Sequence, residues 1–186
     1  IHSYIHQVIK RITAGNLMGD QAMLTIEMDN FDLGQICRSG QCFRMEQIGE
    51  NRYRVIAGDM YLELTQEKGI VNFFCPELDF VVFWIRYFDL DCDYGKYINR
   101  INPRDKYLKA AGEMGSGIRI LQQDLWEVII SFLISQQNNI TRIKKCIENI
   151  CREFGEKKIS STGVEYYAFP TAQALAKATE EQLQEC

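Results

Sequence analysis

Residues 42–74 read CFRMEQIGENRYRVIAGDMYLELTQEKGIVNFF, and this stretch decides the fold class. Runs rich in Val, Ile, Tyr and Phe alternate here with turns that contain Gly49, Gly58 and Gly69. Such a pattern is typical of antiparallel strands joined by tight turns. It predicts a β-meander, preceded by one further strand at 23–28. The predicted strands of the meander are 42–48, 52–57, 60–65 and 70–74.

Beyond Pro76 the apolar residues recur at helical spacing. The chain therefore has the pattern of an α+β protein. We predict an N-terminal domain of antiparallel β-meander and helices at 17–121, followed by an α-helical domain at 122–186. The predicted helices are 77–88, 94–101, 104–114, 125–135 and 139–154, with two shorter ones after Pro170 and from Thr179.

The two ends of the chain have patterns of their own. Apolar residues at helical spacing in 1–12, interrupted by Gly15 and Gly19, predict an N-terminal helical extension over 1–16. The chain begins with Ile1 rather than Met, and 179–186 opens a helix that no glycine or proline ends. We expect the helical domain to be truncated and the natural gene product to continue.

The composition excludes several classes of protein. Apolar residues make up 46% of the 186 residues, enough for a large core, and the run 80–90 is interrupted by charges, so no membrane-spanning segment is expected. The seven Cys form no CxxC pair, and His2 and His6 lie far from them in sequence. We therefore expect reduced thiols, no metal, no cofactor, and a cytoplasmic (nucleoid) or nuclear rather than secreted protein. The net charge of −4 argues against nucleic-acid binding, although local patches matter more than totals.

The helix predicted at 139–154 has its charges in the reverse of the stabilising order. Arg142, Lys144 and Lys145 lie near its N-terminal end, and Glu148 and Glu153 lie toward its C-terminal end. The helix dipole prefers the opposite arrangement by about 0.3–1 kcal/mol per charge. Cations beside outward-pointing amide N–H groups form a suitable place for an anion such as phosphate, although a merely solvated polar face has the same composition.

Five hydrogen-bonding side chains precede this helix without interruption, at 135–139 (Ser-Gln-Gln-Asn-Asn). Caps account for one or two of them. Four consecutive amides exceed what capping needs, and amides are able to read base edges or to fill the space left by an extruded base. A structural turn and a nucleic-acid contact both remain open at this point.

Two motifs resemble those of the 8-oxoguanine DNA glycosylases, members of the helix–hairpin–helix DNA glycosylase/AP lyase family. The stretch 132–143, FLISQQNNITRI, is similar to the duplex-penetrating helix–turn–helix of that family, Phe-x-x-Ser-x-Asn-Asn-Asn-Ile-x-Arg-Ile. The stretch 39–44, SGQCFR, is similar to the family's Ser-Gly-Gln-x-Phe-Arg. Looser matches follow in family order at 120–124, 153–155 and 167–170, so the resemblance covers the chain from about residue 20 to its end.

The resemblance implies a TBP-like N-terminal domain, base flipping and base-excision repair, with duplex DNA carrying oxidised guanine opposite cytosine as the partner of a monomer. By resemblance, the Gly40 carbonyl would accept from the N7–H that 8-oxoguanine has and guanine lacks, although Gly40 also suits a tight turn. Arg142 would donate to the orphaned cytosine. Gln137 would fill the vacated stack, where the family usually has asparagine. The other implied DNA contacts are Asn138, Asn139 and Ile140, with Phe43, Lys144 and Lys145 as secondary candidates.

The resemblance implies no catalytic residue in this chain. The family's hairpin, its nucleophilic lysine and its catalytic aspartate lie beyond the matched motifs. The lysines at 144, 145, 157 and 158 are expected on solvated faces, Phe43 in the core, and Arg44 on the surface. The complete protein is thus expected to be a DNA N-glycosylase/AP lyase, and the 186-residue chain alone inactive.

Two other functions remain open. A catalytically inert module that binds lesions or DNA has the same motifs. An acidic α+β interaction domain that does not bind DNA agrees with the net charge of −4.

Overall fold

A computed structural model describes residues 13–16 and 22–186. Strand β1 (Thr13–Asn16) precedes β2 (Ala22–Glu27), and the four strands of the meander follow. These six strands form one sheet in the order β1-β2-β6-β5-β4-β3. Consecutive meander strands are therefore neighbours, and the α+β class predicted from the sequence is confirmed. The meander strands are β3 (Met45–Gln47), β4 (Arg52–Ala57), β5 (Met60–Glu67) and β6 (Ile70–Phe74).

The helices follow one another along the chain, with α1 before the meander and the others after it. Helix α1 lies between β2 and β3, and α2 has three consecutive segments of which the middle one is a π-helix, closed by i→i+5 bonds. A short hairpin of β7 (Lys157–Ile159) and β8 (Glu165–Tyr167) was not predicted. The helices are α1 (Leu33–Arg38), α2 (Glu77–Asp79, Phe80–Trp84 and Ile85–Tyr87), α3 (Tyr94–Ile98), α4 (Lys106–Met114), α5 (Leu125–Ser135), α6 (Ile140–Phe154), α7 (Ala172–Leu175) and α8 (Glu180–Gln184).

Two sequence predictions are wrong in their extent. The helical extension predicted for 1–16 does not cover Thr13–Asn16, because these residues pair with β2 as an antiparallel strand. Residues 1–12 of that prediction lie outside the described residues. The strand predicted at 42–48 is reduced to Met45–Gln47, because the backbone is bent after α1, where Gly40 has a positive φ of 79°.

Turn geometry explains the tight connection between β5 and β6. Lys68 and Gly69 form a two-residue turn in which both have positive φ, 49° and 81°. Two-residue hairpins favour this conformation because it matches the right-handed twist of the strands. It holds the register in which Glu67 faces Ile70 and Leu64 faces Phe73.

The described chain divides into two compact units. The first contains the described residues through Cys42, together with Gln47–Tyr53 and Glu63–Gln122. The second contains Phe43–Glu46, Arg54–Leu62 and Gln123–Cys186. The second unit thus takes two pieces of the meander that the contiguous prediction gave to the first domain, and the predicted domain bounds remain a prediction.

Aromatic side chains form much of the core of the first unit. Phe73 of β6 contacts Phe80 of α2 edge to face, with ring centroids 5.0 Å apart, and Phe31 contacts Phe88 in the same way at 5.7 Å. Such pairs add about 0.5–1.5 kcal/mol beyond their area burial. Trp84 is fully buried among them.

A buried guanidinium joins the loops of the first unit. Arg119 is 1% exposed, and its nitrogens donate to the carbonyls of Asn30 (2.9 Å), Asp89 (3.1 Å) and Cys92 (2.8 Å). The ring of Tyr94 lies 4.3 Å below the guanidinium carbon. A planar fork of donors suits several carbonyls at once, and cation–π contact adds to it when water is excluded.

Arg119→Lys should lower the free energy of unfolding by about 3 kcal/mol, because an ammonium cannot reach carbonyls on several sides and leaves buried acceptors unpaired. Urea denaturation of both proteins measures the loss. Arg100→Lys, at an exposed position, is the control and should change stability by less than about 0.5 kcal/mol. Equal stability of the two variants would contradict a structural role for the guanidinium.

Candidate nucleic-acid interface

The second unit presents the helix–turn–helix stretch as α5, a four-residue turn and α6. Asp124 caps α5 by accepting from the Glu127 amide at 3.0 Å, and Asn139 caps α6 by accepting from the Arg142 amide at 3.0 Å. The two helices share a core with residues of β8 and the segment after it. Its buried members are Ile143, Ile147, Cys151 and Phe169, and Phe43, Trp126, Ile130, Ile134 and Tyr167 pack against them.

Gln137 occupies the tip of the turn in an unusual conformation. Its φ is 52°, in the left-handed region that non-glycine residues rarely adopt. Its side chain is exposed and takes no hydrogen bond within the part of the chain that the structure describes. A strained, exposed amide without a local partner is a candidate for contact with a ligand.

The neighbouring polar side chains are occupied by the turn itself. Gln136 Nε2 donates to the Phe132 carbonyl at 3.2 Å, and Asn138 Nδ2 donates to the Ile134 carbonyl at 3.2 Å. Asn138 Oδ1 accepts from the Asn139 amide at 3.0 Å. These bonds hold the turn. Gln137 is the amide side chain of the turn that makes no hydrogen bond with the described residues, so it is available to bind a partner.

Cations at the start of α6 are only partly neutralised. Arg142 and Lys145 are exposed and form no ion pair among the described residues, whereas Lys144 Nζ donates to the Met45 carbonyl at 3.4 Å. The first turn of α6 contains no acidic residue. The reversed charge order predicted from the sequence is therefore present, and a phosphate at this end would relieve it.

Ile140 stands beside these cations with 65% of its surface exposed. On α5, apolar side chains at Phe132 and Leu133 are exposed to a similar extent, 63% and 61%. The turn and the helix ends beside it thus combine three kinds of exposed side chain. These are the apolar side chains of α5 and Ile140, the Gln137 amide, and the cations Arg142 and Lys145. A surface of that kind suits a partner with both apolar faces and phosphates.

Gly40 lies in the first unit, in the bend after α1. Its φ of 79° favours glycine, and a Cβ built there would meet nothing within 4 Å. Ser39 closes α1 by donating from Oγ to the Ile36 carbonyl at 2.7 Å. The tight turn expected at Gly40 is therefore present, and its carbonyl belongs to an exposed residue.

Arg44 is not the surface residue that was expected. Its side chain is 5% exposed and lies 3.7 Å from Glu127 Oε1, while Glu127 Oε2 accepts from the Gly58 amide at 2.7 Å. Arg44 also donates to the carbonyls of Tyr167 and Gly58. The cause is Glu127, a carboxylate in the first turn of an apolar helix, which needs a buried partner. Phe43, packed against the core, has the core position that was expected.

Two further lysines are engaged by carboxylates. Lys157 Nζ lies 2.7 Å from Glu165, and Lys158 Nζ lies 2.7 Å from Asp59. These hydrogen bonds raise the pKa of both amines above the ordinary value. A lysine that acts as a nucleophile needs a lowered pKa, so neither is prepared for that chemistry.

Within the described residues, no cluster of three or more His, Cys, Asp or Glu side chains is placed to hold a metal. In the same part of the chain, none of the helices has the length and apolar character needed to cross a membrane.

Comparison with known families decides the assignment. The family described as "8-oxoguanine DNA glycosylase, N-terminal domain" matches residues 23–129, more than half of the chain. The chain belongs to the 8-oxoguanine DNA glycosylase family. Residues 130–186 match the "HhH-GPD superfamily base excision DNA repair protein" description. The resemblance carried by 39–44 and 132–143 is thereby confirmed.

Individual relatives and solved structures support this family assignment. The N-glycosylase/DNA lyase of Saccharomyces cerevisiae is 30% identical over 178 residues, which are 87% of this chain and 47% of that protein. The Clostridium acetobutylicum 8-oxoguanine glycosylase/lyase, solved with double-stranded DNA containing cytosine opposite to 8-oxoG, is 38% identical with a TM-score of 0.84. That match covers 94% of this chain and 59% of that one. A 3-methyladenine DNA glycosylase from Archaeoglobus fulgidus, 16% identical with a TM-score of 0.65 over 87% of this chain and 60% of its own, shares the fold. The chain spans about half the length of the curated relatives it matches.

Arg44→Met should lower the free energy of unfolding by about 3–5 kcal/mol, because it leaves the Glu127 carboxylate buried without its cation. The double variant Arg44→Met/Glu127→Met should cost less than the sum of the two single changes. Burial is the main cause that raises the pKa of Glu127, opposed by Arg44. A raised pKa favours the protonated form in the folded state, so the Arg44→Met deficit should be smaller at pH 5 than at pH 8.

Urea denaturation at both pH values tests this, with Arg54→Met as the matched control. Arg54 pairs with Glu46 where both side chains are partly exposed, 36% and 45%, so its loss should cost less than about 1 kcal/mol. Strict additivity of the Arg44 and Glu127 changes would show that the two groups do not interact.

Proposed function

We propose that this chain supplies lesion and opposite-strand contacts in base-excision DNA repair. In the complete protein, these contacts would serve the removal of 8-oxoguanine from duplex DNA with associated AP lyase activity. The observation that carries the proposal is the α5–α6 turn, with Gln137 exposed at a positive φ at its tip. Arg142 and Lys145, which form no ion pair with the described residues, follow at the start of α6. The partner is duplex DNA with oxidised guanine opposite cytosine, in the nucleoid or nucleus.

Each proposed contact has a chemical reason. The Arg142 guanidinium donates to acceptor atoms of the cytosine left without a partner, which favours lesions opposite cytosine. Gln137 fills the space that the extruded base leaves, at a flipping cost of a few kcal/mol. Asn138 and Asn139 hold the turn, Ile140 contacts the exposed stack, and Lys144 and Lys145 attract phosphate.

Lesion selectivity is assigned to Gly40. Its carbonyl would accept a hydrogen bond from the N7–H of 8-oxoguanine, whereas guanine has a lone pair at N7 and would be repelled. The positive φ of Gly40 and the open space around it support a close approach of backbone to base. Phe43 packs against the core of the second unit, and we assign it no stacking contact with a base.

No nucleophile is assigned among the described residues, where Lys157 and Lys158 are held by carboxylates that raise their pKa. A DNA-binding module without catalytic activity is the second candidate. The two candidates differ in whether the complete reading frame forms a covalent intermediate with the sugar.

Borohydride trapping separates the candidates. The complete natural reading frame and the 186-residue chain are incubated with a labelled duplex carrying 8-oxoguanine opposite cytosine, and borohydride reduces any Schiff base. A covalent adduct with the complete protein alone supports the glycosylase/lyase. Lesion-selective binding by both without an adduct supports the binding module. No adduct and no lesion preference in a gel shift would refute both.

Arg142→Ala should weaken binding to the lesion duplex by about 1–3 kcal/mol and reduce the preference for cytosine opposite the lesion. Lys145→Ala should instead weaken binding to every duplex and lower the slope of log K against log salt by about 1. Arg152→Ala is the matched control, because Arg152 lies on the same helix but pairs with Glu148 at 3.4 Å. Equal effects of all three changes would argue against a specific interface.

A further inference from the structure

The side chain of Gln41 forms hydrogen bonds that span the bend at Gly40. Gln41 Nε2 donates to Ser39 Oγ at 2.9 Å, so the two residues that flank Gly40 are hydrogen-bonded directly to each other. Ser39 Oγ in turn donates to the Ile36 carbonyl at 2.7 Å, at the end of α1. The bend around Gly40 is therefore closed by side chains on both of its sides.

The same amide attaches this bend to a second segment. Gln41 Nε2 also donates to the Arg119 carbonyl at 2.9 Å, and Gln41 Oε1 accepts from the Leu121 amide at 3.0 Å. One side chain thus donates to the carbonyl of Arg119 and accepts from the amide of Leu121, as the backbone of a neighbouring strand would.

The segment that Gln41 contacts is itself held firmly. The Arg119 side chain is buried against the carbonyls of Asn30, Asp89 and Cys92, and Leu121 is 6% exposed. Gln41 therefore connects the bend at Gly40 to a segment of the first unit that the buried side chains of Arg119 and Leu121 hold in place.

Gly40 has no side chain of its own through which packing could hold its peptide groups. Its φ is positive, and a Cβ there would meet no atom within 4 Å. A carbonyl that distinguishes N7–H from a lone pair must hold its direction, because hydrogen bonds weaken steeply when they are misaligned.

We propose that Gln41 is a positioning residue for lesion selectivity, which acts by fixing the direction of the Gly40 peptide groups. This inference rests on the proposed function, in which the Gly40 carbonyl reads the N7–H of the oxidised base. Gln41 touches no reacting atom. It sets the ratio of affinities for lesion and undamaged duplexes more than the affinity for DNA in general.

The chain contains a matched control in Gln66. Gln66 Nε2 donates to the Phe31 carbonyl at 2.6 Å, and Gln66 Oε1 accepts from the Leu33 amide at 2.7 Å. This is the same double bridge in the same unit, but it lies at the opposite end of α1 from Gly40. Loss of either side chain removes one bond to a backbone carbonyl and one from a backbone amide, and loss of Gln41 also removes the bond to Ser39 beside Gly40.

The experiment measures dissociation constants of wild type, Gln41→Leu, Gln41→Glu and Gln66→Leu for duplexes with 8-oxoguanine or guanine opposite cytosine. Gln41→Leu should lower the lesion preference about tenfold, the factor that one hydrogen bond supplies. Gln41→Glu keeps the acceptor for Leu121 but loses the donor to Arg119, so it should lower the preference as well. Gln66→Leu should keep the wild-type preference at a comparable loss of stability in urea.

Amide hydrogen exchange gives a second readout on the unbound chain. Exchange at the Leu121 amide should accelerate in Gln41→Leu and not in Gln66→Leu. Unchanged lesion preference in both Gln41 variants, beside a lesion-selective wild type, would overturn the inference and leave the proposed function intact. An equal loss in Gln66→Leu would also overturn it, as general loosening. A wild type without lesion preference would overturn both.

Discussion

The buried ion pair of Arg44 and Glu127 is the constraint on which the second unit depends. The Glu127 carboxylate lies in the first turn of α5 and accepts a hydrogen bond from the Gly58 amide, in the turn between β4 and β5. The Arg44 guanidinium donates to the Tyr167 carbonyl at the end of β8. Charges removed from water are stable only with partners of this kind. Because both groups are needed, the pair ties sheet, helix and hairpin into one arrangement. The α5–α6 turn is presented from that arrangement.

The turn itself opposes several local preferences. Gln137 has a positive φ, exposed apolar side chains flank it, and cations stand at the wrong end of α6. Each of these costs free energy in the isolated chain. Where several such departures coincide at one surface, function is a common reason. In the proposed function, duplex DNA would offer phosphate to the cations, bases to the apolar side chains and a stack into which the Gln137 amide fits.

The recognition that we propose for Gly40 in the first unit rests on a different principle. Gly40 has an exposed backbone with little steric restraint, and its direction comes from hydrogen bonds made by Ser39 and Gln41. The buried Arg119 guanidinium then fixes the segment to which Gln41 is attached. Gly40, which has no side chain to hinder close approach, is thus flanked by residues whose side chains are held by hydrogen bonds. A selective backbone contact of the kind proposed requires this arrangement.

The fold class, the meander and the helices after Pro76 were predictable from the sequence, because alternation and helical spacing are local properties of the chain. The family was predictable as well, through 39–44 and 132–143. The burial of Arg44, the exposed position of Gln137 at the tip of its turn, and the bridge of Gln41 beside Gly40 became visible only in the folded chain. Each of these depends on a partner distant in sequence, as Gln41 and Leu121 are, or on a backbone angle that composition does not specify. Periodicity reports which face of an element is buried, and it does not report which atoms meet there.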